Sequence, residues 1–129
     1  MLFSVGDIVY FKSDVAGKAK YHFCFCFDVE KDMYSLMFLN SEGEFFDHFA
    51  VNCSRIPDLP TSRSGRTVFS CPTVIRRTGD RLRPLNPVSK CKLPHDVAAE
   101  FLNFARSLTS MTEKDKNQLI ATLAAISET

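Results

Sequence analysis

The stretch GKAKYHFCFCF, residues 17–27, decides the fold class of this chain. Its second half alternates aromatic residues with histidine and cysteine, namely Phe23, Phe25 and Phe27 against His22, Cys24 and Cys26. A period of two is typical of a β-strand, so the pattern predicts one phenylalanine face and one His/Cys face. We expect the phenylalanine face to pack in a core. The His/Cys face is then a metal site, a catalytic surface or the reverse side of a core strand.

Working outward from this strand, Tyr21–Asp28, the chain shows strands first and helices last. Runs of β-branched and aromatic residues between turn formers predict strands at Val5–Lys12, Tyr34–Asn40, Glu44–Phe49, Val51–Ile56, Thr67–Ser70 and Thr73–Arg77. The Pro, Ser and Gly residues of 57–66 predict an exposed loop. Pro72 is expected to separate the last two strands, because proline cannot donate a ladder hydrogen bond.

After Pro94 the spacing of apolar residues changes to that of helices. One apolar stripe is formed by Val97, Phe101, Phe104, Ala105 and Leu108, and a second by Leu119, Leu123 and Ile126. Thr112 with Asp115 resembles a capping box at the start of the second helix. We therefore predict one α+β domain over residues 1–129, with a small, strongly curved antiparallel β-barrel (1–92) covered by a helical pair (93–129).

Composition predicts a soluble, cytoplasmic protein. The 129 residues are 45% hydrophobic and 24% charged, as is ordinary for globular chains. No apolar run approaches the roughly 20 residues that span a bilayer, and the start lacks the basic residues of a signal peptide. The count of five cysteines is odd, so we expect reduced, mostly buried thiols rather than a disulfide framework.

The net charge of +1 hides an uneven distribution. Residues 63–92 sum to +7, whereas residues 1–62 sum to −4 and residues 93–129 to −2. A segment this rich in arginine is a candidate phosphate-binding surface. The alternative is that these charges pair with the acidic ends of the same chain.

Three kinds of chemistry are open to the remaining polar residues. A zinc site has enough ligand types, namely His22, Cys24, Cys26, His48, Cys53, Cys71, Cys91 and His95, but no C-x-x-C pair is present and no metal or cofactor is expected. A cysteine nucleophile needs an accessible thiol beside a histidine, whereas Cys24 and Cys26 lie within an apolar strand.

The third possibility is acid–base cleavage of RNA, which needs a base, an acid and cations around the phosphate, and no metal. Lys18, Lys20 and His22 lie at the entry to the second strand, and Asn40 and Ser41 end the third. Adjacent strands would bring these two groups together at one end of the sheet. The alternative for His22 is a structural histidine at a strand end.

The order of these parts resembles the MazF/PemK-like toxins. VGDIVYFK, residues 5–12, resembles the GDIV opening strand of that family. GKAKYHFCFCF stands where the family has a strand headed by Arg-Pro, and MFLNSEG, residues 37–43, stands where its third strand ends in Thr-Ser. A basic extended segment and a closing helix follow in both. The resemblance implies an SH3-like barrel that acts as a metal-independent endoribonuclease of a toxin–antitoxin pair.

The resemblance also implies roles for particular residues. The family's arginine falls on Lys20 or His22, its threonine on Asn40 and its serine on Ser41, while its proline is absent. Lysine supplies charge without the guanidinium fork, and histidine adds acid–base chemistry. The implied catalytic residues are therefore Lys20, His22 and Ser41.

RNA binding would fall to a larger set, namely Lys18, Asn40, Arg63, Arg66, Arg76 and Arg77, with Tyr21 and Tyr34 as candidates for base stacking. The implied partners are single-stranded RNA, an acidic antitoxin protein and a second copy of the chain in a homodimer. The alternative is a non-catalytic SH3-like module that recruits a nucleic acid or a protein.

Overall fold

Six strands and three α-helices form the described part of the chain, residues 1–41 and 47–128 of a computed structural model. The strands are β1 (Asp7–Lys12), β2 (Ala19–Asp28), β3 (Met33–Asn40), β4 (Phe49–Asn52), β5 (Arg66–Thr78) and β6 (Val88–Lys92). The helices are α1 (Gly79–Leu82), α2 (His95–Ala105) and α3 (Glu113–Ser127). None of the described helices is long and apolar enough to cross a membrane.

The strands form one antiparallel sheet in the order β4-β5-β3-β2-β1-β6. The sheet is curled into a half-barrel, with the last strand in the sequence, β6, paired with the first, β1. The prediction of an α+β fold with two C-terminal helices is confirmed. The predicted barrel is not closed in the described residues, because β4 and β6 are its two edges.

The second strand contains a bulge that the alternating sequence does not reveal. Cys24 pairs with Leu36 and Cys26 with Ser35, so Phe25 is an extra residue on β2. Past the bulge the two faces exchange. Phe23 and Phe25 therefore pack towards the helices, whereas Phe27 packs on the opposite face with Cys24. The prediction of a single face for all three phenylalanines is wrong at Phe27.

A second bulge replaces the break expected at Pro72. Met37 pairs with Val74 and Leu39 with Phe69, so β5 accommodates extra residues between these two pairs. Pro72 lies in this exposed segment, where its missing N–H is not needed by the ladder. The two predicted strands are consequently one strand of 13 residues.

The neighbouring strand predictions have mixed outcomes. The strand predicted over Val51–Ile56 ends at Asn52, whose side chain accepts a hydrogen bond from the backbone N–H of Ser54 (3.0 Å) and starts a 3-10 turn. Half of the strand predicted over Glu44–Phe49, residues 44–46, lies outside the described residues. Asp47 and His48 are not in a strand, and Phe49 itself begins β4.

Both faces of the sheet are buried. On one face, Phe69 and Phe49 pack on Phe101 of α2, with ring centroids 5.0 and 4.4 Å apart respectively, and Leu119 and Leu123 of α3 complete this core. On the other face, a second core is covered by the N-terminal segment and α1: Phe3, Val9, Phe11, Cys24, Tyr34, Leu36 and Leu82.

The start of α3 shows how a local motif and a distant partner combine. The Thr112 hydroxyl oxygen accepts a hydrogen bond from the backbone N–H of Asp115 (3.2 Å), which confirms the predicted cap. The Asp115 side chain accepts a hydrogen bond from Arg76 of β5. This contact ties α3 to the sheet.

Candidate functional site

A pocket of about 420 Å³ opens at the end of the sheet where β1, β2 and β3 meet the loop of residues 57–66. We call it the lysine–tyrosine pocket. Its polar and aromatic lining includes Tyr10, Lys18, Lys20, Tyr21, Asn40, Ser41 and Arg66. The pocket therefore combines lysines, an arginine, amide and hydroxyl groups, and two phenol rings.

Lys20 and Asn40 form the centre of this pocket. They face each other because Tyr21 pairs with Leu39 on the neighbouring strands. The Lys20 ammonium donates a hydrogen bond to the Asn40 side-chain oxygen, and the Asn40 amide donates to the Ser70 hydroxyl (2.6 Å). The prediction that these two strand ends meet is confirmed.

The charge of Lys20 has no carboxylate partner among the described residues. Its ammonium lies 5.0 Å from the centroid of the Phe38 ring, close enough for a cation–π contact. Burial lowers the pKa of Lys20, and the nearby charge of Lys18 lowers it further. An anion in the pocket would stabilise both ammonium groups.

Two tyrosines supply the aromatic part of the pocket. Tyr10 and Tyr21 are cross-strand neighbours, both are half-buried, and their ring centroids are 4.6 Å apart. Tyr10 was missed by the sequence analysis, although its pairing with Tyr21 follows from the β1–β2 register. The other tyrosine proposed for stacking, Tyr34, is fully buried and accepts a hydrogen bond from the Leu2 N–H (2.9 Å).

His22 lies outside the lysine–tyrosine pocket. It is fully buried, stacked on Phe11 at 3.8 Å between centroids and 5.1 Å from Phe38. The pKa of His22 is lowered to about 4, mainly by burial and also by the charges of Lys20 and Arg77, while the backbone groups of Val9 and Lys20 act in the opposite direction. Of the three residues predicted to be catalytic, the structure brings only Lys20 and Ser41 into the pocket.

The arginines predicted to bind RNA divide into two groups. Arg66 lines the pocket and Arg63 is exposed on the same loop. Arg76 pairs with Asp115 on α3, while Arg77 lines a second, smaller pocket beside Asp14 and His22. The structure therefore does not place all four arginines along one surface.

Most of the remaining charge of the basic segment is also paired. Asp14 contacts Arg77 (2.7 Å) and Arg81 (3.1 Å), Asp80 contacts Arg83 (3.0 Å), and Asp7 contacts Lys92 (2.8 Å). The alternative in which this segment pairs with the acidic ends of the same chain is confirmed for Arg76, Arg77, Arg81 and Lys92, whereas Arg83 pairs within the segment.

The cysteines are free thiols, and Cys24, Cys53 and Cys71 are buried. Burial raises the pKa of Cys24 and Cys71 to about 12, so neither is a thiolate at neutral pH. Within residues 1–41 and 47–128, no three His, Cys, Asp or Glu side chains are grouped as metal ligands. None of these cysteines is among the residues that line the lysine–tyrosine pocket.

A search for similar proteins found no match among family models, curated proteins or solved structures. Nothing in these comparisons identifies the MazF/PemK family. The likeness to those toxins therefore rests on the sequence motifs alone.

Proposed function

We propose that this chain is an RNA-binding module that holds single-stranded RNA in the lysine–tyrosine pocket. The observation that carries the proposal is the meeting of Lys18, Lys20 and Arg66 with the Tyr10–Tyr21 pair at the rim of the sheet. Proteins that bind single strands combine cations for the backbone with aromatic rings for the bases.

The two lysines of this pocket, Lys18 and Lys20, suit phosphate because neither has a carboxylate partner among the described residues. Lys18 is exposed, and the side-chain hydrogen bond of Lys20 goes to a neutral amide. A phosphate that approaches them gains attraction without breaking an ion pair. Arg76 differs, because RNA would have to compete with Asp115 for it.

The neutral groups of the pocket fit the other parts of a nucleotide. The half-buried tyrosine rings offer faces on which a base can stack, worth about 1–3 kcal/mol per base. The lining also contains donors and acceptors from Asn40, Ser41, Thr61 and Ser62. A volume of about 420 Å³ lies within the range of ordinary ligand pockets.

The geometry favours binding over cleavage. Metal-independent cleavage needs an acid and a base that both reach the scissile phosphate, and His22 is buried against Phe11 and does not line this pocket. Cleavage of RNA as a toxin, with an acidic antitoxin and a homodimer, stays a prediction from the sequence resemblance. We also propose that the half-barrel is SH3-like, since β6 pairs with β1.

Fluorescence anisotropy tests the proposal with a labelled single-stranded RNA of about 16 nucleotides, the upper end of known site sizes. Lys20→Ala and Tyr21→Leu should each weaken binding about tenfold, since each removes one charge-assisted or stacking contact. Lys31→Ala is the matched control, because Lys31 is an exposed lysine in the β2–β3 turn, and its affinity should match that of the unmodified protein.

The same samples should be run on a denaturing gel in EDTA. Intact RNA is expected throughout. Discrete fragments that disappear with Lys20→Ala would contradict a pure binding module and support the ribonuclease of the sequence resemblance. Equal losses of affinity in Lys20→Ala and Lys31→Ala would contradict the pocket as the binding site.

A further inference from the structure

A smaller pocket of about 150 Å³ lies between β1, β2, β5 and α1. Its polar lining consists of Ser13, Asp14, His22, Arg77 and Arg81. We call it the arginine–histidine pocket. The proposed RNA-binding function uses none of these side chains.

Two guanidinium groups in this pocket donate hydrogen bonds to one carboxylate. Arg77 donates to both oxygens of Asp14, from Nε at 3.1 Å and from Nη2 at 2.7 Å. Arg81 adds a third hydrogen bond from Nη2 at 3.1 Å. The fork of a guanidinium matches the oxygens of carboxylates and phosphates alike. Asp14 therefore shows that the arginine pair is arranged to hold an oxyanion.

The pocket keeps positive charge even with Asp14 in place. Two guanidiniums face one carboxylate, and His22 is neutral at pH 7 because burial lowers its pKa to about 4. Asp14 lies on the β1–β2 loop with 49% of its side chain exposed. It can therefore leave the arginines without disturbing either core.

His22 provides the second, independent indication of a ligand. It is fully buried and lines the pocket. The backbone groups of Val9 and Lys20 are near enough to raise its pKa, but neither ring nitrogen meets hydrogen-bond geometry with any group in the described part of the chain. A neutral imidazole carries one donor and one acceptor, and leaving buried polar groups unpaired is costly. A ligand that accepts from the ring N–H would remove part of that cost.

Ser13 adds another donor. Its side chain is buried, and its hydroxyl oxygen accepts a hydrogen bond from the Ala16 N–H (3.0 Å). The hydroxyl hydrogen remains able to donate. Guanidinium, imidazole and hydroxyl donors thus line one small space, which at about 30 Å³ per water has the volume of about five waters.

We propose that the arginine–histidine pocket binds a phosphate group, which displaces Asp14 from Arg77 and Arg81. Phosphate has enough oxygens to accept from both guanidiniums, from His22 and from Ser13 together, whereas a carboxylate has only two. The phosphate can be a free ion or the terminal group of a nucleotide. This site is independent of the proposed RNA-binding pocket.

The test is a titration of the full chain followed by the proton NMR signals of its three histidine rings, with His22 assigned from the spectrum of His22→Phe. Inorganic phosphate and a nucleoside monophosphate are added in separate titrations, each against sodium chloride at the same ionic strength and pH. The His22 signals should shift and saturate with a phosphate ligand and stay in place with chloride. Tighter binding of one ligand identifies the source of the group.

Three variants sharpen the result. Arg81→Gln should weaken phosphate binding about tenfold, since it removes a charged hydrogen-bond donor. Asp14→Asn should tighten binding about tenfold, because it removes the internal competitor. Arg83→Gln is the control, because Arg83 pairs with Asp80 outside the pocket, and its affinity should not change.

The proposal is overturned by a shift that does not saturate, by the same shift with chloride, or by an unchanged affinity in Arg81→Gln. Weaker binding in Asp14→Asn would overturn the displacement of Asp14. The anion should also raise the melting temperature of the unmodified protein and leave that of His22→Phe nearly unchanged. Equal stabilisation of both proteins would overturn the role of His22.

Discussion

The lysine–tyrosine pocket and the arginine–histidine pocket lie at the two ends of one loop, residues 13–18. They differ in what their cations contact. Lys20 in the first contacts a neutral amide and an aromatic ring, whereas Arg77 and Arg81 in the second share the Asp14 carboxylate. The lysines of the first pocket have no carboxylate to displace among the described residues, whereas the arginines of the second pocket would have to exchange Asp14 for a competing oxyanion.

The comparison shows that the net charge of a sequence segment does not reveal which of its cations lie outside ion pairs. Residues 63–92 sum to +7, yet most of their cations lie in ion pairs. Residues 1–62 sum to −4, yet they supply both lysines of the open pocket. Pairing in three dimensions, rather than composition, decides which cations can bind a phosphate.

The largest expected contrast concerns His22 and the pH dependence of stability. Its pKa of about 4 in the folded state lies below the ordinary value near 6.5. Above pH 6.5 the ring is neutral in both states. Between pH 6.5 and 4 only the unfolded state binds the proton. The free energy of unfolding therefore decreases by about 3 kcal/mol as the pH is lowered from 6.5 to 4. Urea denaturation from pH 7 to pH 4 measures this loss.

His22→Phe is the matched variant for that measurement, because phenylalanine can keep the stack on Phe11. Carboxylates such as Asp14, whose pKa is lowered by the hydrogen bond from Arg77, contribute alike to both proteins. The difference between the two pH profiles therefore isolates His22. Identical profiles would contradict a buried, neutral imidazole.

A smaller effect distinguishes structural arginines from pocket lysines. Arg76→Ala should destabilise the protein by about 2 kcal/mol, because the Asp115 side chain is only 5% exposed and loses its counter-charge. The loss stays below that of a fully buried pair, since Asp115 lies in the first turn of α3, where negative charge is favoured.

Arg83→Ala is the control for this experiment, since its partner Asp80 is 90% exposed. An exposed pair of this kind contributes little, so we expect a change within about 0.5 kcal/mol. Chemical denaturation of both variants tests the difference. Equal unfolding free energies would mean that Arg76 is not structural.

The smallest effect on stability is expected at the open pocket. Lys18→Ala should change the unfolding free energy by no more than about 0.5 kcal/mol, because Lys18 is exposed on a loop. The same variant should bind single-stranded RNA more weakly than the unmodified protein. A large loss of stability without a loss of RNA affinity would mean that Lys18 stabilises the fold and does not bind RNA.

Local patterns predicted most of the elements. Period-two alternation located β2, runs of β-branched and aromatic residues located β1 and β3, and helical spacing located α2 and α3, because these signals depend on neighbours in the sequence. The bulges at Phe25 and around Pro72 were not predicted, since a bulge depends on the register of the partner strand. The open edges of the sheet likewise depend on which strands meet.

The candidate site was predicted in part for the same reason. The contact between Lys20 and Asn40 follows from the adjacency of two strand ends, and it was foreseen. The sequence left His22 open between a catalytic and a structural role, because the rings that cover it, Phe11 and Phe38, come from the two neighbouring strands. Pairs such as Arg77–Asp14 join residues too distant in sequence for any local pattern to predict.

The salt dependence of RNA binding tests the central claim most directly. The logarithm of the binding constant falls with the logarithm of salt concentration, with a slope of about 0.7 per phosphate contact on a single strand. Removal of both pocket lysines, in Lys18→Ala/Lys20→Ala, should reduce that slope by about 1.4. Arg81→Gln/Arg83→Gln removes the same charge from the paired arginines and should leave the slope unchanged. A reduced slope in the arginine variant, with an unchanged slope in the lysine variant, would contradict the account.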